Sequence, residues 1–136
     1  MRGKVARTQT APTKIPETGA AWFSLPNATL NVPVPPNTND LFNVAFSTEC
    51  RLVGGGADDY IRIRILLDGA VLLEPYDGDQ AFCNADAYAT HKGNWVRRVG
   101  AGNHTLQVQF QIFDGAPAEA LTGLIDDWTF EVVIYD

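Results

Sequence analysis

Alternation of apolar and polar residues with a period of two is the feature that most limits how this chain can fold. In "YIRIRILL" it sends Ile61, Ile63 and Ile65 to one side and Arg62 and Arg64 to the other. The segments "LFNVAFSTE", "HTLQVQFQIF" and "WTFEVVIY" repeat the alternation, and most polar positions of the second are glutamines. Such alternation is typical of antiparallel strands with one buried face, and no window of a dozen residues shows a helical stripe. The chain is therefore predicted to be all-β.

Turn signals between these segments set the number of strands. Asp68-Gly69 separates two apolar runs and predicts a tight hairpin, and the glycine-rich "VGAGNHT" predicts another turn. Pro33 lies inside an apolar segment and cannot donate to a ladder, which predicts an edge strand there. We expect a single antiparallel two-sheet β-sandwich, jelly-roll-like, with about eight strands. The predicted strands lie near residues 21–25, 28–34, 41–49, 60–67, 70–75, 87–99 (one strand, or two divided at Gly93), 104–113 and 124–135.

The inward positions of these strands define the expected core. They hold one large apolar residue at every second position, as the buried face of a strand requires. The predicted core residues are Phe23, Leu30, Val44, Phe46, Ile63, Ile65, Leu106, Val108, Phe110, Phe130, Val132 and Ile134.

Length and charge divide the chain into two predicted regions. A chain of 136 residues, 46% of them hydrophobic, is sufficient for one domain with a real core. Its net charge of −6 is uneven, because residues 1–20 carry a net +3 and the remainder a net −9. We expect an extended basic arm over residues 1–19 and a β-sandwich domain over 20–136. The acidic body argues against nucleic acid as the main partner, because phosphate binding needs clustered Lys and Arg.

Membrane and targeting signals are not expected. The longest apolar runs, such as "AAWF", fall far short of the roughly 20 residues of a membrane helix, and the first residues lack the apolar region of a signal peptide. The sequence therefore predicts no membrane partner, no transmembrane segment and no signal peptide.

The arm is predicted to be disordered by itself, because it has little to bury against the entropy of ordering. Order would then have to come from outside its own domain, and "KVARTQT" has the composition of a strand that could add to the sheet edge of a neighbouring copy. Opposite charge would favour that pairing. A flexible tail is the alternative. The residues expected to carry assembly are Arg2, Lys4, Val5, Arg7 and Lys14.

Catalytic signatures are missing from the sequence. There is no GxSxG, HExxH or GxxxxGK[ST] motif, and the two histidines, His91 and His104, show no spacing that pairs them with a nucleophile. The adjacent acids Asp126 and Asp127 would suit a glycosidase, but short loops leave little material for a cleft. We predict no catalytic residue and a protein that is not an enzyme.

Neither a cofactor nor a metal is predicted. Asp77 and Asp79 in "DGDQ" resemble the start of a calcium loop, but no glutamate follows at the expected twelfth position. Solvated loop acids are the favoured interpretation, and these two residues stay as the candidate ligands. Cys50 and Cys83 could form one disulfide in an oxidising medium, or remain as two buried thiols.

Aromatic residues offer surfaces for stacking. Trp128 alternates in phase with the predicted core, Trp22 could be core or a strand-edge contact, and Trp95 follows "KGN" and is expected to be exposed. Small β-sandwiches can bind sugars on such rings, and an exposed tryptophan is equally a protein-interface anchor. The predicted glycan contacts are Trp95, Tyr76 and Tyr88.

Four segments carry a resemblance at the level of the fold. "VPVPPNTNDLFNVAFSTEC", "YIRIRILLDG", "GNHTLQVQF" and "LIDDWTFEVV" together resemble small bacterial and phage-associated β-sandwich proteins. The architecture is similar to the jelly roll of trimeric C1q- and tumour-necrosis-factor-like modules, and of capsid decoration and fibre-tip proteins. The resemblance implies no catalytic residue, and the long basic arm departs from many compact sandwiches.

These observations lead to two main functional hypotheses. The first is a structural protein that self-associates, as a homotrimer, and docks through its arm on the major structural protein of a larger assembly. Its most concrete form is a virion decoration or fibre-type component, located on a virion or an extracellular surface. The second is a carbohydrate-binding module, assisted by calcium at Asp77 and Asp79.

Overall fold

The computed structural model describes residues 1–76, 81–115 and 120–136, and over these ranges it contains strands and loops without a helix. The all-β prediction is confirmed. Within the same ranges there is no helix with the length and hydropathy needed to cross a bilayer. The strands are β1 (Gly3–Gln9), β2 (Thr13–Ile15), β3 (Phe23–Val53), β4 (Tyr60–Leu67), β5 (Val71–Leu72), β6 (Ala81–Cys83), β7 (Ala89–Phe113) and β8 (Thr122–Tyr135).

Two long strands, β3 and β7, form an antiparallel ribbon that organises the sheet. Their ladder runs from Phe23 opposite Phe110 to Cys50 opposite Ala89, with register shifts at 24–29 and 34–39 of β3. Strand β8 pairs with residues 41–53 of β3, whereas β4 pairs with residues 106–113 of β7. The sheet order is β1-β8-β3-β7-β4-β5, with β2 also on β8 and β6 also on β4.

The ribbon corrects one predicted turn. We expected "VGAGNHT" to end a strand, but β7 continues through it, with Gly100 opposite Asn39 and Gly102 opposite Val34. The extra residues of the bulge lie on the other strand, at 35–38 of β3. Bulges bend a strand without ending it, so several predicted short strands are parts of β3 and β7.

One hydrophobic core joins the two halves of the ribbon. Phe46, from the half of β3 that pairs with β8, contacts Phe110 of β7, with ring centroids 5.8 Å apart, and Phe130 of β8 at 6.1 Å. Phe82 of β6 lies 6.1 Å from the Phe46 ring. Every predicted core residue is buried except Phe23, which is half-buried and packs against the core. The fold is thus β-sandwich-like, and jelly-roll connectivity stays a prediction.

The predicted hairpin and the predicted edge are both confirmed. Asp68 and Gly69 have φ angles of 53° and 71°, the left-handed conformation of the central residues of a tight hairpin turn, and β4 pairs with β5 across residues 68–70. Pro33 faces Asn103 of β7, and β8 pairs only with the later residues 41–53 of β3. Because no strand among the described residues pairs with this part of β3 on the side away from β7, the missing N–H of Pro33 removes no hydrogen bond there.

The first residues lie within the sheet, and the expectation of an arm outside the domain was wrong. Strand β1 pairs with β8 in unbroken register from Gly3 opposite Ile134 to Gln9 opposite Trp128. Ile15 of β2 is completely buried in the core. The prediction weighed only what the segment could bury within itself, whereas the backbone groups of β8 order it from the same chain.

Candidate functional site

Arginine side chains of β4 lie opposite glutamine side chains of β7 on the outer face of the sheet. The register sets Arg62 opposite Gln111 and Arg64 opposite Gln109, so these side chains share a face with each other and not with the core. Arg62 Nη1 donates to Gln111 Oε1 at 3.2 Å, and Arg64 Nε donates to Gln109 Oε1 at 2.8 Å. Each guanidinium is thereby held in place by its cross-strand neighbour.

The glutamine amides extend this ladder toward β3. Gln109 Nε2 donates to Ser24 Oγ at 3.0 Å, and Gln111 Nε2 donates to the Ala20 carbonyl at 2.8 Å. The hydroxyl of Thr29 donates to Gln107 Oε1. Because each amide is fixed by partners at both of its atoms, the row is preorganised rather than free to rotate.

Aromatic rings lie beside this row of polar groups. The guanidinium of Arg64 lies 4.2 Å from the centre of the Trp22 ring, and Tyr76 meets Trp22 edge to face at 6.3 Å. The guanidinium of Arg62 lies 4.6 Å from the Phe113 ring and 5.6 Å from the Tyr60 ring. Contacts of a cation with a ring face fix the ring as well as the charge.

A cavity of about 430 Å³ opens at one end of the row. It lies between the segment 17–20 and the ends of β4 and β7, with Arg62, Gln111 and Phe113 in its wall together with the carboxylates of Glu17 and Asp114. Its size is typical of small-molecule sites, and it combines hydrogen-bond donors, acceptors and one apolar ring.

These elements define one surface, here named the arginine–glutamine face. Its residues come from the outward positions of two strands and from the segments that border them. They are Trp22, Tyr60, Arg62, Arg64, Tyr76, Gln107, Gln109, Gln111 and Phe113.

Trp95, a predicted glycan contact, lies in the core, and the expectation that it is exposed was wrong. Its side chain is completely buried. The register places it opposite Val44, on the inward phase of β7, and its indole covers Gly93 so closely that a Cβ there would meet ring atom Cζ2 at 3.0 Å. The sequence pattern did not show that Trp95 points inward. Gly93, two residues earlier on the same face of the strand, has no side chain that would mark this face as apolar.

The other two predicted glycan contacts are separated. Tyr76 is half-buried and belongs to the arginine–glutamine face through Trp22. Tyr88 is 41% exposed and lies 5.4 Å from the guanidinium of Arg51, which in turn donates to Asp86 at 3.1 Å. The structure brings no two of the three predicted residues together.

Arg2 and the basic residues of β1 have acidic or carbonyl partners in the same chain. Arg2 forms ion pairs with Asp40 and with Asp136, and Lys4 forms one with Glu131 at 2.9 Å. Arg7 Nη1 donates to the Asn27 carbonyl at 3.3 Å. The charge complementarity that we expected between copies is thus used within one copy.

The remaining predicted assembly residues differ in burial. Val5 is half-buried and packs against the core, whereas Lys14 is exposed on β2, opposite Leu124 of β8. The segment therefore contributes one apolar contact from β1 and keeps one solvent-facing charge.

The acidic residues of the chain lie in different environments or outside the described residues. Asp77 and Asp79 lie outside the described residues. Asp59 is 3% exposed and accepts from the backbone N–H of Gly56 at 2.7 Å and of Gly115 at 2.8 Å. Such a carboxylate fastens two loops together and is a structural group.

Asp126 and Asp127 lie within β8 and not at its entrance. Asp126 pairs with Glu49 of β3, and Asp127 lies in the bulge that follows, where β8 shifts register before Thr129 pairs with Ser47. Asp127 has a φ of 48°. With Glu49 they form a group of three carboxylates whose oxygens lie within 4.8 Å of one another. Among residues 1–76, 81–115 and 120–136, nothing besides these three carboxylates indicates that a metal ion binds here.

Cys50 and Cys83 form a disulfide, with Cα atoms 6.3 Å apart. It ties β3 to the short strand β6, and both sulfurs are buried. Of the two alternatives left open by the sequence, the structure has the bridge. His91 of β7 lies next to it, with an imidazole nitrogen within 4.8 Å of both sulfurs.

His104 fastens the Asp68-Gly69 hairpin to β7. Its Nδ1 lies 2.7 Å from Asp68 Oδ2 and its Nε2 lies 2.8 Å from the Gly100 carbonyl, and two acceptors require both nitrogens to be protonated. Burial lowers the pKa of His104, but the two hydrogen bonds and the Asp68 charge outweigh it and raise the pKa above 6.5. For Asp68, burial raises the pKa, but the bonds to His104 and the Thr105 N–H outweigh it and bring it below 3.8.

The face was only partly predictable. The alternation showed that Arg62, Arg64 and the glutamines point outward, but not which arginine lies opposite which glutamine. Trp22 was left between core and strand-edge contact, and its place above Arg64 follows from how the segment 17–22 crosses β7.

Comparison with models of protein families gives no match to the chain. A search of the curated proteins also finds no significant match. The geometry of the arginine–glutamine face is therefore the basis on which a function can be argued.

Proposed function

We propose that this protein is a non-enzymatic carbohydrate-binding module, and that the arginine–glutamine face is its binding surface. The observation that carries the proposal is the register of β4 and β7, which aligns Arg62 with Gln111 and Arg64 with Gln109 beside Trp22. Planar amide and guanidinium groups next to an aromatic ring match the alternating hydroxyl and C–H surfaces of a sugar.

The charges of the cavity favour a neutral sugar over an anionic ligand. Arg62 can donate to hydroxyl oxygens, while Glu17 and Asp114 can accept from hydroxyl hydrogens. The same two carboxylates would repel a phosphate or a sulfate. A nucleic acid would in addition need a larger basic patch than two arginines provide.

The rigidity of the face supports binding of an extended ligand. Gln109 and Gln111 are held by Ser24 and Ala20, and Arg64 donates to Gln109 and lies over the Trp22 ring. A ligand would meet side chains that are already ordered, so little entropy would be lost on binding. No calcium is needed for these contacts, and the Asp77 and Asp79 hypothesis lies outside the described residues.

A glycan array with neutral and acidic glycans tests the proposal. Wild type should bind a set of neutral oligosaccharides, and Trp22→Ala should weaken that binding at least tenfold because the stacking ring is lost. Tyr88→Ala is the matched control, since it removes an exposed aromatic residue elsewhere and should bind as wild type. Near-ultraviolet circular dichroism shows whether the variant is folded, and Trp22→Phe should restore part of the binding. An array without binding would overturn the proposal.

A structural role is the second candidate, and the edge position of β1 favours it. In the part of the chain that the structure describes, β1 pairs with β8 alone, so its other edge is open to a further strand. We propose for this role that the edge takes a strand of a second copy, as in a homotrimeric decoration or fibre-type component on a virion or extracellular surface.

Light scattering after size exclusion separates the two roles. The structural role requires an oligomer for the full chain and a monomer after deletion of residues 1–9. This deletion keeps Ile15, which belongs to the core, whereas deletion of residues 1–18 would remove it. A monomeric full chain, or an oligomer that the deletion leaves unchanged, would contradict this role.

A further inference from the structure

Three strands bring two buried sulfurs and a half-buried imidazole together. Cys50 lies on β3, Cys83 on β6 and His91 on β7. Cys50 faces Ala89 and His91 faces Thr48, so His91 and Cys50 lie one alternation apart on the same face of the ribbon. The two Sγ atoms and a ring nitrogen of His91 all lie within 4.8 Å of one another.

The surroundings of this group suit a metal ion with soft ligands. Both cysteines are at most 2% exposed, and the Phe82 ring lies 5.8 Å from the His91 ring, which shields one side of it. Zinc takes tetrahedral sets of thiolate and imidazole ligands with metal–ligand bonds of about 2.0–2.3 Å, so ligand atoms of one site lie within a few ångströms of each other. Among the described residues no fourth His, Cys, Asp or Glu joins the three, which leaves one position for water or another ligand.

The disulfide and the metal site exclude each other chemically. In the oxidised state the sulfurs share a covalent bond and carry no thiolate charge. Two electrons and two protons from a dithiol reductant convert the bridge into two thiols, while the dithiol becomes a cyclic disulfide. Binding of Zn²⁺ then releases the two thiol protons and leaves two thiolates and neutral His91 as ligands.

We propose that Cys50, Cys83 and His91 form a redox-controlled zinc site, closed as a disulfide under oxidising conditions and able to bind Zn²⁺ when reduced. His91 is the third ligand and decides the affinity, because two thiolates alone leave half of the zinc coordination open. This inference is independent of the glycan proposal, since none of the three residues belongs to the arginine–glutamine face.

Cobalt substitution tests the site directly. The protein is reduced with dithiothreitol, freed of reductant without oxygen and titrated with Co²⁺, which reports thiolate ligation by near-ultraviolet charge-transfer absorption. The expected result is a band that saturates at one equivalent and disappears when Zn²⁺ displaces the cobalt. The oxidised protein should show no band.

Two histidine variants make the test specific. His91→Ala should weaken cobalt binding at least tenfold, whereas His104→Ala, which removes the other histidine of the chain, should bind as wild type. Equal binding by His91→Ala, or equal binding by oxidised and reduced protein, would overturn the proposal.

Loss of folding on reduction also gives an answer. If near-ultraviolet circular dichroism shows that the reduced apoprotein unfolds, Zn²⁺ should restore the native spectrum of wild type and of His104→Ala, but not of His91→Ala. A reduced protein that stays folded without a cobalt band, or an unfolded one that zinc does not restore, would contradict the site.

Discussion

The guanidinium of Arg2 forms an ion pair with the carboxylate of Asp40, a side chain that is 1% exposed in the interior of the sheet. Asp40 lies on β3 opposite Val99 of β7, so the pair connects the N-terminal strand with the central ribbon. A buried carboxylate without a partner is costly, and this contact is one reason why a polar segment is ordered on its own domain.

Removing Arg2 should therefore destabilise the protein more than removing a charge of the adjoining strand β1. We expect Arg2→Ala to lower the free energy of unfolding by about 1–3 kcal/mol, since it leaves Asp40 buried without this partner. Lys4→Ala is the control, because its partner Glu131 is 28% exposed, and should cost less than about 1 kcal/mol. Urea unfolding measures both. Adding Asp40→Asn to Arg2→Ala should recover part of the loss, and equal stability of Arg2→Ala and wild type would contradict this view of the pair.

The ion pair of His104 and Asp68 should make stability depend on pH in a stated direction. Because folding raises the pKa of His104, its contribution is fully present below pH 6.5 and is lost as the pH rises through the folded pKa. Folding lowers the pKa of Asp68, so its contribution is present above pH 3.8 and is lost as the pH falls through the folded pKa. Urea unfolding along a pH series should therefore show the contribution of the pair between these limits.

An NMR titration of the histidine ring protons checks the same point by residue. The pKa of His104 should exceed 6.5 in wild type and fall in Asp68→Asn, because burial alone lowers it. A wild-type His104 that titrates at or below 6.5 would show that the two hydrogen bonds do not outweigh burial.

Gly93 should be intolerant of any side chain. A Cβ at this position would overlap the Trp95 ring, which is itself completely buried. We expect Gly93→Ala to cost about 1–3 kcal/mol through overpacking. Gly100 lies on the same strand, and a Cβ added there would have nothing within 4 Å. Gly100→Ala should therefore change the free energy of unfolding by less than about 0.5 kcal/mol. Thermal or urea unfolding of the two variants provides the comparison, and equal effects would refute the role assigned to the Trp95 ring.

Loss of the disulfide should lower the free energy of unfolding mainly because the unfolded chain gains conformational entropy. The bridge closes a loop of 33 residues, for which the loop-entropy model gives about 3–4 kcal/mol. The double variant Cys50→Ala/Cys83→Ala should lose roughly this amount in urea with a chelator present, so that no metal replaces the bridge. Unfolding of the variant at the same urea concentration as oxidised wild type would contradict the estimate.

The local sequence determined strand type and phase, but not partners. Ile61, Ile63 and Ile65 were assigned to the core from alternation alone, since burial of one face follows from a period of two. The pairing of β1 with β8 joins residues more than a hundred positions apart, and no local signal encodes such a pairing. The arginine–glutamine face could not be predicted for the same reason. Arg64 and Gln109 meet through the register of β4 and β7, and Trp22 reaches them through the path of the segment that precedes β3.

Trp95 shows a different limit. Its position after a glycine suggested a turn, whereas the ladder carries β7 through Gly93 and turns the indole inward. Glycine is compatible with a turn and with close packing against a ring, and only the neighbouring strand decides between them.

The indole N–H signals of the three tryptophans give the most direct test of the arginine–glutamine face as a sugar-binding surface. Trp95 and Trp128 are at most 1% exposed, whereas Trp22 is half-buried above Arg64. Titration of ¹⁵N-labelled protein with a neutral oligosaccharide found on the array should shift the Trp22 signal in a saturable manner and leave the other two in place. An unchanged Trp22 signal at saturation, with shifts around Tyr88 or along β1 instead, would contradict the account.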